Sequence, residues 1–218
     1  MLVKDYMARH PITIGPDTKL VEAQRIMASS GIKHLPVVDD DKRLVGILTP
    51  SRFAITPEKL ASLNIWEISD YLTGLKASQL MVKGNALCTI DPEATLEEAA
   101  ERMLARSITG LPVVEDGVVV GIITQVDLLF ELRNLLGSKE KGWRVTVRVP
   151  DRKGEFGKLV ETIYGNGWGL MAMGSVRSPR HPECWDVVVK ISRCEDDHAI
   201  FDALGAIPGH KIVDVRES

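Results

Sequence analysis

Leu35-Pro36-Val37-Val38, a run typical of a buried strand, returns as Leu111-Pro112-Val113-Val114, 76 positions later. The same shift matches residues before this run, namely Thr13 with Thr89, Ile14 with Ile90, Pro16 with Pro92, Leu20 with Leu96, Glu22-Ala23 with Glu98-Ala99, Met27 with Met103 and Ile32 with Ile108. After a slip of one residue, Val45-Gly46-Ile47 matches Val120-Gly121-Ile122 and Thr49 matches Thr124. We infer a duplicated structural unit, and since one unit is too small to bury much core, the two are expected to pack together.

Each repeat predicts the element order β-α-β-β-α. Apolar residues at helical spacing predict one helix per repeat, namely at Leu20, Ala23, Ile26 and Met27 and at Leu96, Ala99, Met103 and Leu104. Thr95 and Glu98 form a capping-box pattern at the start of the second of these helices. Strands are predicted at 12–14, 35–38 and 44–49 and again at 88–90, 111–114 and 118–124, with an acidic turn inside each hairpin. Further helices are predicted from Ser51 and from Val126.

The repeated motifs resemble the cystathionine-β-synthase (CBS) domain. They are Gly31-Ile-Lys-His-Leu-Pro-Val-Val-Asp39 with Gly46-Ile-Leu-Thr49, and Ile108-Thr-Gly-Leu-Pro-Val-Val-Glu115 with Gly121-Ile-Ile-Thr-Gln-Val-Asp-Leu128. Two such domains in tandem resemble a Bateman module, here covering about residues 1–135. The predicted boundaries are 1–56 for the first repeat, 57–76 for a connecting helical segment and 77–135 for the second repeat.

The resemblance implies an adenine-nucleotide site in each repeat, for AMP, ADP, ATP or S-adenosylmethionine. In the second repeat it implies Cys88, Thr89, Ile90, Ile108, Thr109, Gly110, Pro112, Thr124 and Asp127. An ionised aspartate accepts two hydroxyl hydrogen bonds, which suits Asp127 to the ribose. In the first repeat the resemblance implies Thr13, Ile14, Lys33, His34, Pro36, Thr49 and Arg52.

The first repeat departs from the motif at Arg52, which stands where Asp127 stands in the second repeat. Arginine cannot accept a hydrogen bond, so this site either binds weakly or takes a ligand with more negative charge. Lys33, His34 and Arg52 would suit phosphates. The alternative is that Thr49 only caps the following helix.

The residues after the repeats predict a separate domain. The polar segment 136–142, with Gly137 and Gly142, indicates a linker. Beyond it, strands are predicted at 143–149, 170–176, 185–191 and 211–215, with helices around Leu159 and from Asp196. The order βαββαβ is ferredoxin-like, so the whole chain is predicted as a mixed α/β (α+β) fold.

This last domain, 143–218, resembles an ACT domain. The resemblance lies in Val149-Pro-Asp-Arg-Lys-Gly154, Leu159 and Gly165-Asn-Gly167. It implies a regulatory module that binds amino acids, with Asp151, Gly154 and Asn166 as candidate ligand residues. Asp151 could equally be a helix cap, and Gly154 a conformational requirement. A CBS pair followed by an ACT domain resembles the bacterial acetoin-utilisation protein B type of regulator.

Composition and charge exclude several classes of function. The 218 residues carry 27 Lys and Arg against 30 Asp and Glu, a formal net charge of −3, which gives no overall attraction to nucleic acid. No apolar run reaches the ~18–20 residues that span a bilayer, and no export signal is visible. Three cysteines at no regular spacing predict reduced thiols. We therefore predict a cytoplasmic protein without nucleic-acid or membrane partners.

No set of residues predicts catalysis or a metal. His181, Cys184, Cys194 and His198 are spaced as two ligand pairs, but the strand predicted between them separates the pairs by about 20 Å. No Ser/His/Asp or Cys/His set has local support. The prediction is therefore a non-enzymatic ligand sensor and homodimer that modulates a metabolic enzyme; the alternative is a module that only dimerises and docks.

Overall fold

The computed structural model describes residues 1–53 and 74–217. It divides into two compact units, Met1–Leu128 and Leu129–Ser218. Most of the predicted connecting segment 57–76 therefore lies outside the described residues, and so does the continuation of the helix predicted from Ser51. No helix of the described ranges is both long and apolar enough to cross a membrane.

The first unit contains both repeats as far as Leu128, within the last helix of the second repeat, in the predicted order of helix and hairpin. The first repeat has α1 (Val3–Tyr6), β1 (Ala8–Arg9), α2 (Leu20–Ser30), β2 (Leu35–Val38), β3 (Leu44–Leu48) and a 3-10 turn at Pro50–Phe53. The second has α3 (Ala77–Leu80), a 3-10 turn at Gly84–Ala86, α4 (Leu96–Arg106), β4 (Gly110–Glu115), β5 (Val118–Thr124) and α5 (Gln125–Leu135). β2 pairs antiparallel with β3, and β4 with β5, which confirms the two hairpins.

Local signals set these boundaries. The Thr95 hydroxyl accepts from the Glu98 amide at 3.1 Å, and the Glu98 carboxylate accepts from the Thr95 amide at 2.7 Å, which confirms the capping box of α4. α2 ends at Gly31, whose φ of 65° is left-handed. The faces of both helices that carry the repeated apolar residues are buried, so the same pattern builds both halves of the unit.

The strands predicted at 12–14 and 88–90 are each reduced to one bridging residue. Ile14 bridges Val37 and Ile90 bridges Val113, both in parallel. In each repeat this residue donates to a proline carbonyl on the hairpin and accepts from the second valine of the Leu-Pro-Val-Val run. Pro11 and Pro16 lack the amide that a longer ladder would need on either side of Ile14.

The N-terminal segments of the two repeats are exchanged. β1 pairs antiparallel with β5, so Ala8 lies opposite Ile122. In the other direction, Val82 bridges Ile47 of β3. Each exchanged segment also binds the start of the other repeat's helix, because the Leu20 amide donates to Leu75 at 2.8 Å and the Leu96 amide donates to Met1 at 3.1 Å. Helix starts have free amides, and each repeat satisfies one for the other.

The same exchange fills the two cores. Val3 is fully buried in the cluster of the second repeat, with Ile90, Leu96, Met103 and Ile123. Leu75 and Ala77 belong to the cluster of the first repeat, with Leu20, Met27 and Leu48. Neither repeat therefore contains its whole core.

Two matched glycines allow this close approach. A Cβ at Gly121 would overlap the sulfur of Met7, and a Cβ at Gly46 would overlap the sulfur of Met81. The repeated Gly-Ile pair of the sequence is thus explained by packing, because a methionine of the exchanged segment lies directly on each glycine.

The second unit has the predicted βαββαβ order. Its elements are β6 (Trp143–Pro150), α6 (Glu155–Gly165), β7 (Gly169–Arg177), β8 (Cys184–Ser192), α7 (Asp197–Gly205) and β9 (Lys211–Glu217). The sheet order is β7-β8-β6-β9, and all three pairs are antiparallel. Alternate valines of β6 and β8 are buried against Leu159, Ile163, Ile200 and Leu204 of the two helices.

The segment predicted as a linker packs within the second unit. Gly137 is buried, and a Cβ there would lie 3.1 Å from Ala172 and 3.2 Å from the Lys190 side chain. The Lys190 ammonium donates to the Gly142 carbonyl at 3.1 Å, and burial lowers the pKa of this lysine. The boundaries of the predicted domains remain predictions.

The exchange predicts that Val3, in the first repeat, stabilises the second. Val3→Ala removes two methyl groups from a side chain with no exposure, whereas Val21→Ala acts on one that is 50% exposed. We expect Val3→Ala to lower the free energy of unfolding by roughly 1–3 kcal/mol and Val21→Ala by much less. Urea unfolding measures this, and hydrogen exchange should quicken in β4 and β5 before β2 and β3. Equal effects of the two variants would contradict the exchange.

Candidate ligand-binding site

A cavity of about 560 Å³ lies in the first unit, between residues of both repeats. Its lining residues are Ala8, Gly31, Ile32, Lys33, His34, Thr109, Ile122, Thr124, Gln125, Val126 and Asp127. The exchanged strand β1, the loop after α2, the loop before β4 and the start of α5 each contribute. This volume lies in the range of small-molecule sites.

The start of α5 holds the polar end of the cavity. Asp127 Oδ2 accepts from the Thr124 amide and from the Thr124 hydroxyl, both at 2.7 Å. Gln125 fastens the neighbouring loop, because its amide donates to the Thr109 carbonyl at 3.0 Å and its side chain donates to Ile108 at 3.1 Å. Among the described residues, no group donates to Asp127 Oδ1, so this oxygen is available to a ligand hydroxyl.

His34 connects the two repeats beside the cavity. Its Nε2 and the Thr109 hydroxyl form a hydrogen bond of 2.8 Å. The ring packs against Gly110, where a Cβ would lie 2.9 Å from it. The 76-residue shift relates Lys33 to Thr109 and His34 to Gly110, so equivalent loops of the two repeats meet here, with a ring on one side and a glycine on the other.

The charges at the cavity are Lys33 and Asp127. Burial lowers the pKa of His34, Lys33 lowers it further, and Asp127 opposes both effects. The lowered pKa favours the neutral imidazole, which can donate to the Thr109 hydroxyl or accept from it. Lys33 is exposed and Asp127 is half-buried, which gives the cavity a cation for an anionic group and an acceptor for hydroxyls.

Three of the nine residues predicted for the second site line this cavity: Thr109, Thr124 and Asp127. Ile90, Gly110 and Pro112 are buried in the second repeat, and Ile108 packs beside its core. Cys88 also packs against that core, and the Thr89 carbonyl accepts from Arg102 at 2.8 Å. No residue of the 88–90 segment lines the cavity that contains Thr124 and Asp127.

The residues predicted for the first site are also divided. Lys33 and His34 line the cavity with Thr124 and Asp127, the residues predicted for the other site. Ile14 and Pro36 are buried, and Thr13 is exposed. The Thr49 hydroxyl bonds the Ser51 hydroxyl at 3.0 Å, and the Arg52 amide donates to the Thr49 carbonyl at 3.0 Å within the 3-10 turn. Arg52 supplies no carboxylate to repeat the Thr124–Asp127 cap.

Sequence reasoning missed Ala8, Gly31, Ile32, Ile122, Gln125 and Val126. The sequence-based prediction placed each site within one repeat. In the structure β1 of the first repeat pairs with β5 of the second, which places Ala8 opposite Ile122 at the cavity. One signal was present: since the repeat shift aligns Lys33 with Thr109, a pair of repeats packed face to face would bring both loops to one place.

The three ACT-type candidates are not brought together. Asp151 accepts from Trp185 Nε1 and from Arg177, both at 3.0 Å, which lowers its pKa, and it does not cap a helix. Gly154 precedes α6 with a φ of 88°, a conformation that favours glycine. Asn166 follows α6 at its other end, where its side chain donates to Thr162. A cavity of about 310 Å³ is lined by Asp151 and Gly154, together with Trp185 and Phe156, but not by Asn166.

The thiols and histidines of the second unit form no metal cluster. Cys184 begins β8, whereas Cys194 lies two residues beyond its end, and both are free thiols, as is Cys88. Within 1–53 and 74–217, no group of three or more His, Cys, Asp or Glu side chains is placed to hold a metal ion.

The pKa of His34 predicts a pH-dependent stability. The usual histidine value is 6.5 and burial lowers it in the folded chain, so near that pH the unfolded chain binds more protons. Stability then rises with pH and is lost as pH falls through 6.5 towards the lowered pKa of the folded chain, by at most about 1.4 kcal/mol per pH unit for one proton. His34→Gln should reduce this loss in urea unfolding, while the exposed His198→Gln, in the other unit, should not. An unchanged pH slope in His34→Gln would contradict the assignment.

Solved structures with similar chains include a CBS domain pair. A protein described as an acetoin utilization protein (AcuB) from Vibrio cholerae is 32% identical, with a TM-score of 0.52 over 64% of this chain and 95% of that one. The CBS domain pair of protein MJ0100, in complex with 5′-methylthioadenosine and S-adenosyl-L-methionine, is 30% identical, with a TM-score of 0.50 over 61% of this chain and 99% of that one.

Curated relatives include longer enzymes. Inosine-5′-monophosphate dehydrogenase of Aquifex aeolicus is 35% identical over 152 residues, which are 68% of this chain and 28% of the enzyme. The chain spans about a quarter of the length of the first curated relatives that it matches. The CBS domain pattern itself matches residues 3–54 and 77–134, half of the chain. The resemblance of the two repeats to the CBS domain is thus confirmed, and the chain belongs to the CBS domain family.

Proposed function

We propose that the first unit is a sensor that binds an adenine nucleotide or a related adenosine compound in the 560 Å³ cavity and passes the binding event to a metabolic enzyme. The carrying observation is the Asp127 carboxylate, with one oxygen held by Thr124 and the other available to a ribose. The MJ0100 pair, bound to 5′-methylthioadenosine and S-adenosyl-L-methionine, supports a ligand of this class.

Each part of such a ligand has a counterpart in the cavity. Ile32 and Ile122 offer apolar surface to the base, and Asp127 accepts from the ribose hydroxyls. Lys33 attracts a phosphate. AMP, ADP, ATP and S-adenosylmethionine differ in charge at the Lys33 end, so their relative affinities report how much that one cation contributes.

A sensor must favour one of two states of the protein when it binds. The cavity is suited to this because its walls come from both repeats, so a ligand held at Ala8, His34 and Asp127 ties the repeats together. We further propose that the protein acts as a homodimer in the cytoplasm and that the second unit is an ACT domain open to an amino acid. The 310 Å³ cavity near Asp151 supports that last part.

The alternative is a module that dimerises and docks onto an enzyme without sensing. Neither proposal includes catalysis, because the sequence predicts no set of catalytic residues. Isothermal titration with AMP, ADP, ATP and S-adenosylmethionine separates them. Binding of any one supports the sensor, while no heat from any of them at millimolar ligand favours docking.

We expect Asp127→Asn to lower the affinity for the adenine nucleotide specifically. The amide keeps an acceptor for the α5 cap but removes the charge that receives the ribose hydroxyls, so we expect roughly a tenfold or greater rise in Kd. Glu98→Gln is the matched control. The Glu98 carboxylate accepts from the Thr95 amide at the start of α4, as Asp127 accepts from the Thr124 amide at the start of α5, and Glu98 does not line the cavity. This control should lose similar stability and keep its affinity. Equal affinity in both variants would exclude Asp127 as the ribose acceptor.

A further inference from the structure

Three cations lie side by side on the sheet of the second unit. Arg144 of β6 is directly opposite Arg216 of β9 on one side and Lys190 of β8 on the other. The buried valines of β6 alternate with Arg144 and face the two helices, so the row of cations lies on the other face of the sheet. Like charges on directly opposite residues of neighbouring strands destabilise a sheet. The row therefore opposes the stability of the fold and calls for a different explanation.

The carboxylates beside the row compensate only part of its charge. Asp214 accepts from Arg144 Nη1 at 3.3 Å and from Arg216 Nε at 2.9 Å, so one carboxylate serves both arginines. Burial lowers the pKa of Lys190, Arg144 lowers it further, and Glu140 opposes both effects. The repulsion between Arg144 and Lys190 thus remains in the folded unit.

Arg144 and Arg216 are exposed enough to bind a further anion. Their side chains are 41% and 73% exposed. Toward acceptors in the described ranges, Arg144 donates through Nη1 alone and Arg216 through Nε alone. Most N–H groups of the two guanidinium groups are therefore available to a ligand. An anion placed between them accepts from both, in the charge-assisted geometry that arginine forms with carboxylates.

The surroundings of the two arginines favour an acidic protein segment over a small molecule or a nucleic acid. Neither arginine lines the 560 Å³ or the 310 Å³ cavity, whereas sites for small molecules are concave. On β6 and β8 the same face carries Thr146, Arg148, Asp186 and Val188. None of these is an aromatic side chain, on which the sheets of RNA-binding domains stack bases.

We propose that Arg144 and Arg216 form a docking surface for an acidic segment of the metabolic enzyme that this protein contacts. A carboxylate of that segment lies between the two guanidinium groups and supplies the negative charge that Asp214 alone does not. This inference rests on the proposed contact with an enzyme, for which it names the surface and the charge of the partner. It does not depend on the nucleotide cavity.

The test measures binding of an acidic peptide to the full-length protein. The probe is a fluorescein-labelled dodecapeptide of alternating aspartate and glutamate, followed by fluorescence anisotropy at low salt. Arg216→Ser is the main variant because its side chain is the more exposed, and Arg144→Ser is the second. Arg180→Ser is the matched control, since it removes the same charge from an exposed arginine between β7 and β8. Labelled polyuridylate replaces the peptide in a parallel titration.

We expect the peptide to bind and its Kd to rise about fivefold in Arg216→Ser and in Arg144→Ser, as for the loss of one exposed ion pair. Arg180→Ser should change the Kd by less than about twofold, and added salt should weaken binding. An equal rise in Arg180→Ser, or no binding of the peptide, would overturn the docking surface. Tighter binding of polyuridylate through the same arginines would overturn the acidic partner.

Titration of the same protein with AMP separates this inference from the proposed sensor. Heat from AMP without binding of the peptide overturns the docking surface and leaves the sensor standing. Binding of the peptide at Arg144 and Arg216 supports the docking surface even when no nucleotide gives heat.

Discussion

The antiparallel pairing of β1 with β5, and its counterpart between Val82 and Ile47, is the constraint on which the first unit depends. It sends the N-terminal segment of each repeat into the core of the other. The helices α2 and α4 then receive acceptors for their first amides from Leu75 and Met1. Neither repeat can complete its core alone, so folding of one half requires the other.

The binding cavity is a consequence of this exchange. β1 brings Ala8 to Ile122, and the face-to-face repeats bring Lys33 and His34 to Thr109 and Asp127. The repeats are alike in backbone but not in chemistry. Asp127 is matched by Arg52, and Gly110 is matched by His34, whose ring fills the space beside that glycine. The duplication explains the similar backbones of the two repeats, and substitutions at these positions give the two repeats different side chains at the cavity.

Local patterns predicted most of the fold. The Leu-Pro-Val-Val runs, the helical spacing around Ala23 and Ala99, and the alternating valines of β6 all depend on period alone, and the structure has the expected elements there. The site was predicted less well. Thr109, Thr124 and Asp127 come from the two motifs of the second repeat and lie together, but Ala8 reaches them only through a tertiary strand pairing that no local pattern encodes. The 88–90 segment was assigned to the site because the CBS resemblance implies it, and none of its three residues lines this cavity.

The central claim is that one ligand contacts both repeats. Hydrogen exchange of the full-length protein with and without AMP tests it most directly. The account predicts slower exchange at β1 and the loop 31–34 of the first repeat together with the start of α5 in the second. Protection confined to one repeat, or no protection at saturating AMP, would contradict it.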